Sequence, residues 1–422
     1  MRISAGIIPI KMSFDVVFNY ILKRTGAGVG AGLEGFRALL ARLGNPQNQY
    51  KIVHVAGTNG KGSVSTLMAG TLTAAGHKTG LFVSPHLVLP VERIQIDGEN
   101  ISRQAFSKAV LDVFQEEEEE LNFFEILTAA ALLYFARQKV QYAVLETGLG
   151  GRKDPTNVCT PDVCLITSIG LDHTQYLGSS LAQIALEKAG IIKPKIPVFA
   201  GEMALAAREV LRKTAKERKA PLRFVKEGEP FAVFSYDFLH NQTLLRTPDN
   251  RQWPLHTLGP RQAANACLVY QAAKQLSVPD ECLQKAFQAV SLPGRFEVIS
   301  NEKNTWVLDG AHNPQAIEGL INFWQKSPFG KEAALLCGFM KDKDYKKMLA
   351  LLCPHFEHIF ITVPPSARGA GAEDIRAALP KGVKAVFEPD WQQAVRLARH
   401  YPCVLCTGSF YLAGAVRGKI IK

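Results

Sequence analysis

The residues with the clearest chemical potential lie in YKIVHVAGTNGKGS, residues 50 to 63. An apolar run rich in β-branched residues leads into three glycines, a lysine and a serine, and a helical pattern follows. Glycines allow a tight turn that aims backbone N–H groups at an anion, and the helix N-terminus and the lysine add positive charge. The segment therefore predicts a loop that binds the phosphates of ATP or GTP. Its residues are Gly57, Thr58, Asn59, Gly60, Lys61, Gly62 and Ser63.

This loop departs from the usual pattern G-x-x-x-x-G-K-[ST] at two positions. Val55 occupies the first glycine position, and Gly62 separates Lys61 from Ser63. A glycine-rich turn that binds nothing would also contain such glycines. The order of strand, glycines, lysine, serine and helix nevertheless favours a variant phosphate loop, in which the serine can ligate Mg²⁺.

Polar residues follow three further predicted strands. Ser84 comes after the strand 80–83, Glu146 ends the strand YAVLE, and His173 follows the β-rich run 162–169. In open parallel sheets, ligands bind beyond the carboxyl ends of the strands. A carboxylate is the hard oxygen ligand that Mg²⁺ prefers. Ser84 could equally be a turn residue and the histidine a structural one, but their positions favour a metal site.

Lys188 lies at the end of a predicted helix, 181–189. A surface or salt-bridged lysine is the simple interpretation. Burial near phosphate-binding elements would instead lower the pKa of the ammonium, because desolvation disfavours its charge. A neutral amine can react with CO₂, and the spacing alone leaves both interpretations open.

The composition is that of a globular protein. A length of 422 residues predicts two domains, since one domain commonly has about 100 to 200 residues. The formal net charge of +11 raises the question of nucleic acid. However, Lys and Arg are spread along the chain instead of forming a basic arm or helix, and polyanionic small substrates explain the excess as well. We therefore expect no nucleic-acid partner.

The cysteines and the N-terminus indicate the compartment. Most of the eight cysteines lie in apolar runs, and the single C-x-x-C pair, Cys403 and Cys406, lies inside a predicted buried strand. Core thiols in a reducing cytosol are favoured over a zinc or redox site. No apolar run approaches the about 18 to 20 residues that span a bilayer, and the N-terminus has too little continuous hydrophobicity for a signal peptide. We expect a cytoplasmic enzyme without a membrane partner, for which Met12 could be the true start.

The pattern along the chain predicts an α/β protein. Residues 14–43 are predicted to be helical, with a glycine-rich break at 25–32, and strands and helices alternate after them. Within this alternation, Ser102 is predicted to cap a helix and the acidic run 116–120 to be solvated. The segment 291–298 contains Pro and Gly and predicts a domain junction, beyond which the alternation begins afresh.

Several segments together resemble the folylpolyglutamate synthases and dihydrofolate synthases, which are related to the muramyl peptide ligases. They run in the right order from about residue 13 to 415. The segments are HVAGTNGKGS, SPHL, ERI, FFE followed by T, LETGLGGRKDPTN, ITSIGLDHTQYLG, EKAGIIK, the Asn265 region, LPGRFE, DGAHNP, GFMKDKD and GSF.

The resemblance implies a domain organisation. Residues 1–295 form an ATP-binding P-loop domain of the Mur ligase central type with a mainly parallel sheet. Residues 296–422 form a smaller, Rossmann-like α/β glutamate ligase domain. Because ATP contacts come from both domains in this family, the resemblance also implies an active site in the interdomain cleft.

The resemblance also implies roles for individual residues. Lys61, Lys188 and His173 are catalytic, and Lys188 is carbamylated. Two Mg²⁺ sites are expected, with Ser63, Ser84, Glu146 and His173 as ligands. Further ATP contacts are Asn265, Arg295, Asp309 and His312. The pterin-binding residues are Asn122, Phe123, Phe124, Glu125, Lys153, Asp154 and Pro155.

Two of these stretches depart from the family pattern. Asn122 stands where many members have Thr or Ser, and Lys153-Asp154-Pro155 replaces a more usual Leu or Phe, Asp, Ala. The departures leave the fold and chemistry intact but put the fine pterin specificity in question. The aromatic pair 123–124 could equally belong to the helix core.

The reaction implied is ATP-dependent formation of an amide. ATP phosphorylates a substrate carboxylate, and L-glutamate attacks the acyl phosphate. The enzyme positions the reactants and neutralises phosphoryl charge. Dihydropteroate would give dihydrofolate, and reduced folates such as tetrahydrofolate would be extended to polyglutamates. The enzyme is expected to be a monomer.

The nearest alternative function is folylpolyglutamate synthesis alone, and the next is that of a muramyl-type ligase. A GTP-binding switch is disfavoured because N-K-x-D and D-x-x-G are absent from the sequence, and a non-catalytic nucleotide binder would not need Lys61, Glu146, His173 and Lys188 together.

Overall fold

The computed structural model describes residues 13–24, 32–259, 261–330 and 332–421. Met12 and residues 25–31 of the glycine-rich break lie outside this part of the chain. The described residues divide into two compact units. The first falls within Met1–Ile169, Leu181–Val225 and Leu268–Ala286, and the second within Gly170–Ser180, Lys226–Cys267 and Phe287–Lys422.

The helices and strands alternate as predicted. In chain order, the α-helices are α1 (Phe14–Leu22), α2 (Gly32–Arg42), α3 (Lys61–Ala74), α4 (Arg103–Gln115), α5 (Phe123–Arg137), α6 (Thr174–Leu177), α7 (Leu181–Ala189), α8 (Leu205–Glu217), α9 (Gln262–Gln275), α10 (Asp280–Ala289), α11 (Pro314–Trp324), α12 (Tyr345–Leu352), α13 (Ala372–Ala378), α14 (Trp391–Ala398) and α15 (Phe410–Ile420). The strands are β1 (Lys51–Ala56), β2 (Thr79–Phe82), β3 (Ile94–Ile96), β4 (Glu99–Asn100), β5 (Tyr142–Glu146), β6 (Val163–Ile166), β7 (Val198–Ala200), β8 (Leu222–Phe224), β9 (Ala232–Asp237), β10 (Gln242–Arg246), β11 (Gln252–Leu255), β12 (Glu297–Ser300), β13 (Thr305–Leu308), β14 (Ala334–Cys337), β15 (His358–Ile361), β16 (Val386–Phe387) and β17 (Cys403–Thr407).

The first unit is built on an eight-stranded sheet in the order β4-β3-β2-β5-β1-β6-β7-β8. The strands from β2 to β8 in this order run parallel, whereas β3 and β4 pair antiparallel. Strand β1 lies between β5 and β6, with Val55 opposite Glu146 and Ala56 opposite Ile166. A strand with neighbours on both edges is largely buried, and five of the six residues of β1 are, which explains the apolar run before the glycines. The mainly parallel sheet is confirmed.

The second unit contains two sheets. Strands β9 to β11 form a three-stranded antiparallel sheet, and a six-stranded sheet has the order β12-β13-β17-β14-β15-β16. Only β12 of the larger sheet pairs antiparallel. The predicted second α/β fold is therefore confirmed, with an antiparallel edge strand added at its start.

Two local predictions are confirmed only in part. The acidic run lies beyond the end of α4, and Glu118 to Glu120 are exposed as predicted. Glu117, however, forms an ion pair with Arg24, with side chains 14% and 13% exposed, and accepts a hydrogen bond from the Leu121 N–H at 2.9 Å. The pattern ERIQI predicts an edge strand, but its first residues form a 3₁₀ turn and the two-residue strand β4 forms the edge. Ser102 caps α4 as predicted, accepting the Ala105 N–H at 3.1 Å.

The cysteine prediction is confirmed for the C-x-x-C pair. Cys403 and Cys406 both lie in β17 and are both buried. Side chains three positions apart on a strand point to opposite faces of the sheet. Accordingly, Cys403 packs in one hydrophobic cluster and Cys406 in another. Each of the two cysteines therefore belongs to a different hydrophobic core. Among the described helices, none is long and apolar enough to cross a membrane.

Candidate active site

The predicted phosphate loop forms a tight turn between β1 and α3. Gly57 has φ +152° and Gly60, which precedes the helix, has φ +90°. A Cβ on Gly57 would lie 1.9 Å from Thr167 Oγ1. The glycine is therefore required both by its backbone angle and by the close approach of the neighbouring chain. Helix α3 begins at Lys61, two residues before the predicted start, so the free N–H groups of its first turn belong to the loop itself.

Two residues that the sequence reasoning missed hold this loop. Thr167 Oγ1 donates to the Asn59 carbonyl at 2.7 Å, and the Thr58 N–H donates to the Ser168 carbonyl at 2.7 Å. Ser168 Oγ also donates to the Asn59 carbonyl at 3.0 Å. Both residues directly follow β6, which is the neighbour of β1. A polar pair after an adjacent strand is the signal that could have identified them.

Two lysines converge on one carbonyl of the loop. Lys61 Nζ donates to the Gly57 carbonyl at 3.1 Å, and Lys188 Nζ donates to the same oxygen at 2.7 Å. Lys188 is only 4% exposed, so the interpretation as a surface lysine is wrong. The end of α7 brings a buried amine to the loop where phosphates are expected.

Of the oxygen ligands predicted for Mg²⁺ in the first unit, Glu146 ends β5 and Ser84 follows β2, whereas Ser63 lies in the first turn of α3. Glu146 is 2% exposed and accepts the Ser84 N–H at 3.0 Å. Ser63 Oγ is buried and has no hydrogen-bond partner among the described residues. A buried hydroxyl without a partner is costly, and a hard cation would satisfy its oxygen. These residues fit Mg²⁺, which commonly takes one or two carboxylates together with phosphate and water oxygens.

His173 belongs to the second unit, where it has φ +49°. Its Nε2 lies 3.1 Å from Lys343 Nζ, which also donates to Asp172 Oδ1 at 2.6 Å. Asn313 Nδ2 donates to the other oxygen of Asp172 at 3.1 Å. Lys343 lies in GFMKDKD, a motif in which the sequence reasoning gave no residue a role of its own. The structure brings this lysine directly to the predicted ligand.

Electrostatics within this cluster favour an ionised Asp172. Burial alone would raise the pKa of the carboxyl, but the charges of His312, Lys343 and His173 hold it well below its usual range. Burial lowers the pKa of His312 to about 4, and the Lys343 ammonium adds to this effect. His312 is charged only at the acidic pH where the Asp172 carboxyl titrates, so near neutral pH the cluster contains an ionised Asp172 and a neutral imidazole at His312.

The stretch predicted to bind the pterin begins helix α5. Asn122 Oδ1 accepts the N–H groups of Phe124 and Glu125 at 2.9 and 3.0 Å, and Glu125 Oε2 accepts the Asn122 N–H at 2.9 Å. This reciprocal pair is a capping box, so two of the predicted substrate residues also define the start of the helix. Phe123 and Phe124 are partly buried and pack against the core of the first unit.

The motifs SPHL, ERI and FFE meet at Arg93. This buried side chain donates from Nε to His86 Nδ1 at 2.9 Å, and its guanidinium lies 5.4 Å from the centroid of the Phe123 ring. Burial, followed by the charge of Arg93, lowers the pKa of His86 to about 3. Neither His86 nor Arg93 was assigned a role from the sequence.

The second predicted pterin stretch surrounds a buried carboxylate. Lys153 is exposed, whereas Asp154 is 2% exposed and caps the 3₁₀ turn Pro155–Val158. Burial raises the pKa of the Asp154 carboxyl, and hydrogen bonds from Thr156, Leu149 and Gly148 oppose that rise. The Asp154 carboxylate thus accepts hydrogen bonds from the backbone of its own loop.

The remaining predicted ATP contacts lie in the second unit. Asp309 accepts the N–H groups of Phe296 and Ala311 at 2.9 and 2.8 Å, and burial raises its pKa. The Arg295 guanidinium lies 4.1 Å from the centroid of the Phe410 ring. Asn265, in the first turn of α9, donates to Gln262 Oε1 at 3.1 Å, and His312 Nδ1 lies 2.9 Å from the Gly310 carbonyl.

Two family models match the chain. The Mur ligase middle domain matches residues 55–273, and the glutamate ligase domain of the Mur ligases matches residues 294–410. Folylpolyglutamate synthase of Lacticaseibacillus casei is 35% identical over 407 residues, which cover 91% of this chain and 93% of the relative. Dihydrofolate synthase/folylpolyglutamate synthase of Bacillus subtilis is 33% identical over 426 residues, which cover 95% and 98%.

Solved structures give the same likeness. Mycobacterium tuberculosis folylpolyglutamate synthase complexed with ADP and AMPPCP has a TM-score of 0.87 at 29% identity, covering 97% of this chain and 98% of that one. The bifunctional folylpolyglutamate synthase/dihydrofolate synthase of Yersinia pestis, complexed with AMPPNP and Mn ion, has a TM-score of 0.85 at 30% identity, covering 99% and 100%.

Proposed function

The chain belongs to the folylpolyglutamate synthase and dihydrofolate synthase family of the Mur ligases, and on that premise we propose that it links L-glutamate to pterin substrates with ATP. It acts on dihydropteroate, giving dihydrofolate, and on tetrahydrofolate, giving poly-γ-glutamates. In each case the γ-phosphoryl group moves to a substrate carboxylate, and the glutamate amine displaces phosphate from the acyl phosphate. Phosphate is a far better leaving group than the oxygen of a carboxylate, which is why ATP is consumed.

The observation that carries this proposal is the phosphate loop with the Nζ atoms of two lysines, Lys61 and Lys188, on the Gly57 carbonyl. When ATP enters, Lys61 exchanges this carbonyl for the transferred phosphoryl group, whose charge it stabilises. Gly57 to Ser63 hold the phosphates through their N–H groups. Asn265, Arg295, Asp309 and His312 are proposed as further nucleotide contacts.

We assign Mg²⁺ to the hard oxygens described above. Of the two Mg²⁺ ions that the family resemblance implies, Ser63 would hold the one at the ATP phosphates. Ser84, Glu146 and His173 would hold the second. When bound, the metal neutralises phosphoryl charge. The Mn ion in the complex of the Yersinia pestis enzyme supports a divalent cation in this family.

For Lys188 we propose carbamylation. The Nζ lone pair attacks the carbon of CO₂ and the amine loses a proton to solvent, which leaves an N–H and a carbamate anion. The modified side chain can keep its hydrogen bond to the Gly57 carbonyl while it presents a carboxylate to the metal and its waters. Its burial supports this proposal, because burial disfavours the ammonium and shields the carbamate.

Lys188→Ala tests this role. We expect loss of most ligase activity with retained ATP binding, measured by glutamate incorporation and by calorimetry. Mass spectrometry of the native protein should show the added mass of one CO₂. Absence of that mass, combined with full activity of the alanine variant, would remove the role. Lys213→Ala, on helix α8, is the control and should remain active.

The decisive assay is ATP-dependent incorporation of glutamate with dihydropteroate and, separately, with tetrahydrofolate. Product from both substrates is expected. Product from tetrahydrofolate alone would support the alternative of folylpolyglutamate synthesis only, the activity named for the Lacticaseibacillus casei relative. The substrate stretches Asn122 to Glu125 and Lys153 to Pro155 are the segments in which that difference would be decided.

Three further properties are proposed. We place the enzyme in the cytoplasm as a monomer, and we divide it into an ATP-binding domain, 1–295, and a glutamate ligase domain, 296–422. Buried free thiols support a reducing compartment. Light scattering tests the monomer, and limited proteolysis tests the boundary through cleavage near residue 295.

A further inference from the structure

We propose that His54 and Thr156 are positioning residues that fix the glycine-rich loop after β5 against the phosphate-loop strand. The loop in question, residues 147–154, begins beside Glu146 and carries Asp154 at its end. The inference rests on the proposed function in one respect, because it assigns this loop to the pterin substrate. The connection itself is read from hydrogen bonds within the first unit.

The connection starts on β1. His54 is fully buried, three residues before Gly57, and its Nε2 lies 2.8 Å from Thr156 Oγ1. Thr156 is also fully buried, and its Oγ1 lies 2.5 Å from Asp154 Oδ1. One chain of hydrogen bonds therefore runs from the central strand, through a hydroxyl, to a carboxylate.

This series of hydrogen bonds ends at backbone N–H groups of the glycine-rich loop. Asp154 Oδ2 accepts the N–H groups of Gly148 and Leu149 at 2.8 and 2.9 Å, while Oδ1 also accepts the Thr156 N–H at 3.0 Å. The glycine-rich loop is thus tied to the carboxylate at two successive amides. It has little freedom while the carboxylate is held in place.

The tied backbone lies against a predicted substrate residue. A Cβ on Gly148 would come within 2.5 Å of the Phe124 ring, so the loop backbone packs directly on that ring. A shift of the loop would therefore move the surface next to Phe124. In this way His54 can affect the pterin site without contacting a substrate.

Counting protons shows which group donates and which accepts in each hydrogen bond between His54, Thr156 and Asp154. Asp154 accepts three backbone N–H groups, and because an ionised carboxylate has no proton to donate, the Thr156 hydroxyl donates to it as the fourth. Thr156 has one hydroxyl proton, and His54 must then donate from Nε2. Its Nδ1 remains an acceptor, and it faces the Cys159 Sγ at 3.8 Å, where the thiol donates. Burial keeps this thiol protonated by raising its pKa to about 12. The geometry thus fixes the Nε2–H tautomer.

A set of threonine variants tests the positioning role. Thr156→Val removes the hydroxyl and keeps the shape, leaving the His54 N–H without a partner. We expect the KM for the pterin substrate to rise about tenfold while the KM for ATP stays within about twofold, because a buried donor is left unsatisfied next to the loop. Thr156→Ser keeps the hydroxyl and should restore the KM. Equal changes in both KM values, or no change in either, would overturn the proposal.

Thr71→Val is the matched control. Thr71 is fully buried on α3, and its hydroxyl donates to the Leu67 carbonyl at 2.8 Å. Losing this hydroxyl removes a buried hydrogen bond that has no link to the loop. The stability of this variant should fall while both KM values stay unchanged. An equal rise of the pterin KM here would show that Thr156 acts only through general stability.

Two measurements do not depend on activity. Nitrogen-15 NMR of the wild-type chain should show the His54 proton on Nε2, and a proton on Nδ1 would contradict the chain of donors. Amide exchange at Gly148 and Leu149 should accelerate in Thr156→Val and not in Thr71→Val. If the wild type incorporates no glutamate, the proposed function fails, while these two results still decide whether the loop is tied to β1.

Discussion

At the scale of single residues, Gly57 combines a backbone angle that other residues avoid with a contact that leaves no space for a side chain. Gly57→Ala places a Cβ 1.9 Å from Thr167 Oγ1 at φ +152°. We expect a loss of about 2 to 4 kcal/mol in the free energy of unfolding from strain and overlap together, and a large loss of ATP affinity. Chemical denaturation and calorimetry measure both.

Gly98→Ala is the control for this substitution. Gly98 also has a positive φ, +85°, but a Cβ there would meet nothing within 4 Å. This variant should lose only about 1 kcal/mol through backbone strain and should bind ATP normally. If the two variants lost equal ATP affinity, the close approach of Thr167 would not be the cause.

At the scale of the elements, the start of α5 joins helix formation to substrate binding. Asn122→Ala removes the acceptor for two N–H groups, and we expect about 1 kcal/mol lower stability. Asn122→Ser keeps a capping oxygen and should recover most of it. Because the same residue is proposed to bind the pterin, Asn122→Ala should also raise the KM for that substrate.

Ser102→Ala separates these two effects. Ser102 caps α4 with one hydrogen bond, and its loss should cost a similar amount of stability. The KM for the pterin should not change in this variant. A rise as large as that of Asn122→Ala would mean that weakened capping alone explains the substrate effect.

At the scale of the whole molecule, buried neutral histidine predicts loss of stability in acid. Desolvation, and then the charge of Lys193, lowers the pKa of His54 to about 3, whereas an unfolded chain has a histidine pKa of about 6.5. The unfolded state therefore binds a proton that the native state does not. The stability present above pH 6.5 falls as the pH drops from there towards 3.

The predicted fall in the free energy of unfolding with falling pH is large enough to measure. Between pH 7 and pH 5, His54 alone should lower the free energy of unfolding by about 2 kcal/mol. Urea unfolding at both pH values measures the change, and NMR should show no titration of this imidazole in the native protein down to pH 5. A native titration near pH 6.5 would contradict the prediction.

Local sequence signals predicted much of the framework. Strand β5 and helix α7 have the predicted bounds, because the short apolar run of the strand and the apolar period of the helix are each complete within the segment. The edge of the first sheet was harder to predict, because an edge strand is defined by having a neighbouring strand on only one side. The sequence ERIQI alternates, yet its first residues serve a turn.

By itself, the sequence determined the order of the elements, the phosphate loop and the family, because glycine spacing and motif order are local properties of the chain. Tertiary structure alone decided which side chains meet. Lys188 reaches the Gly57 carbonyl across 131 positions, and Lys343 reaches Asp172 across 171. Such contacts depend on the packing of whole sheets, and no local pattern encodes them. The same packing decides that Thr156 lies between His54 and Asp154.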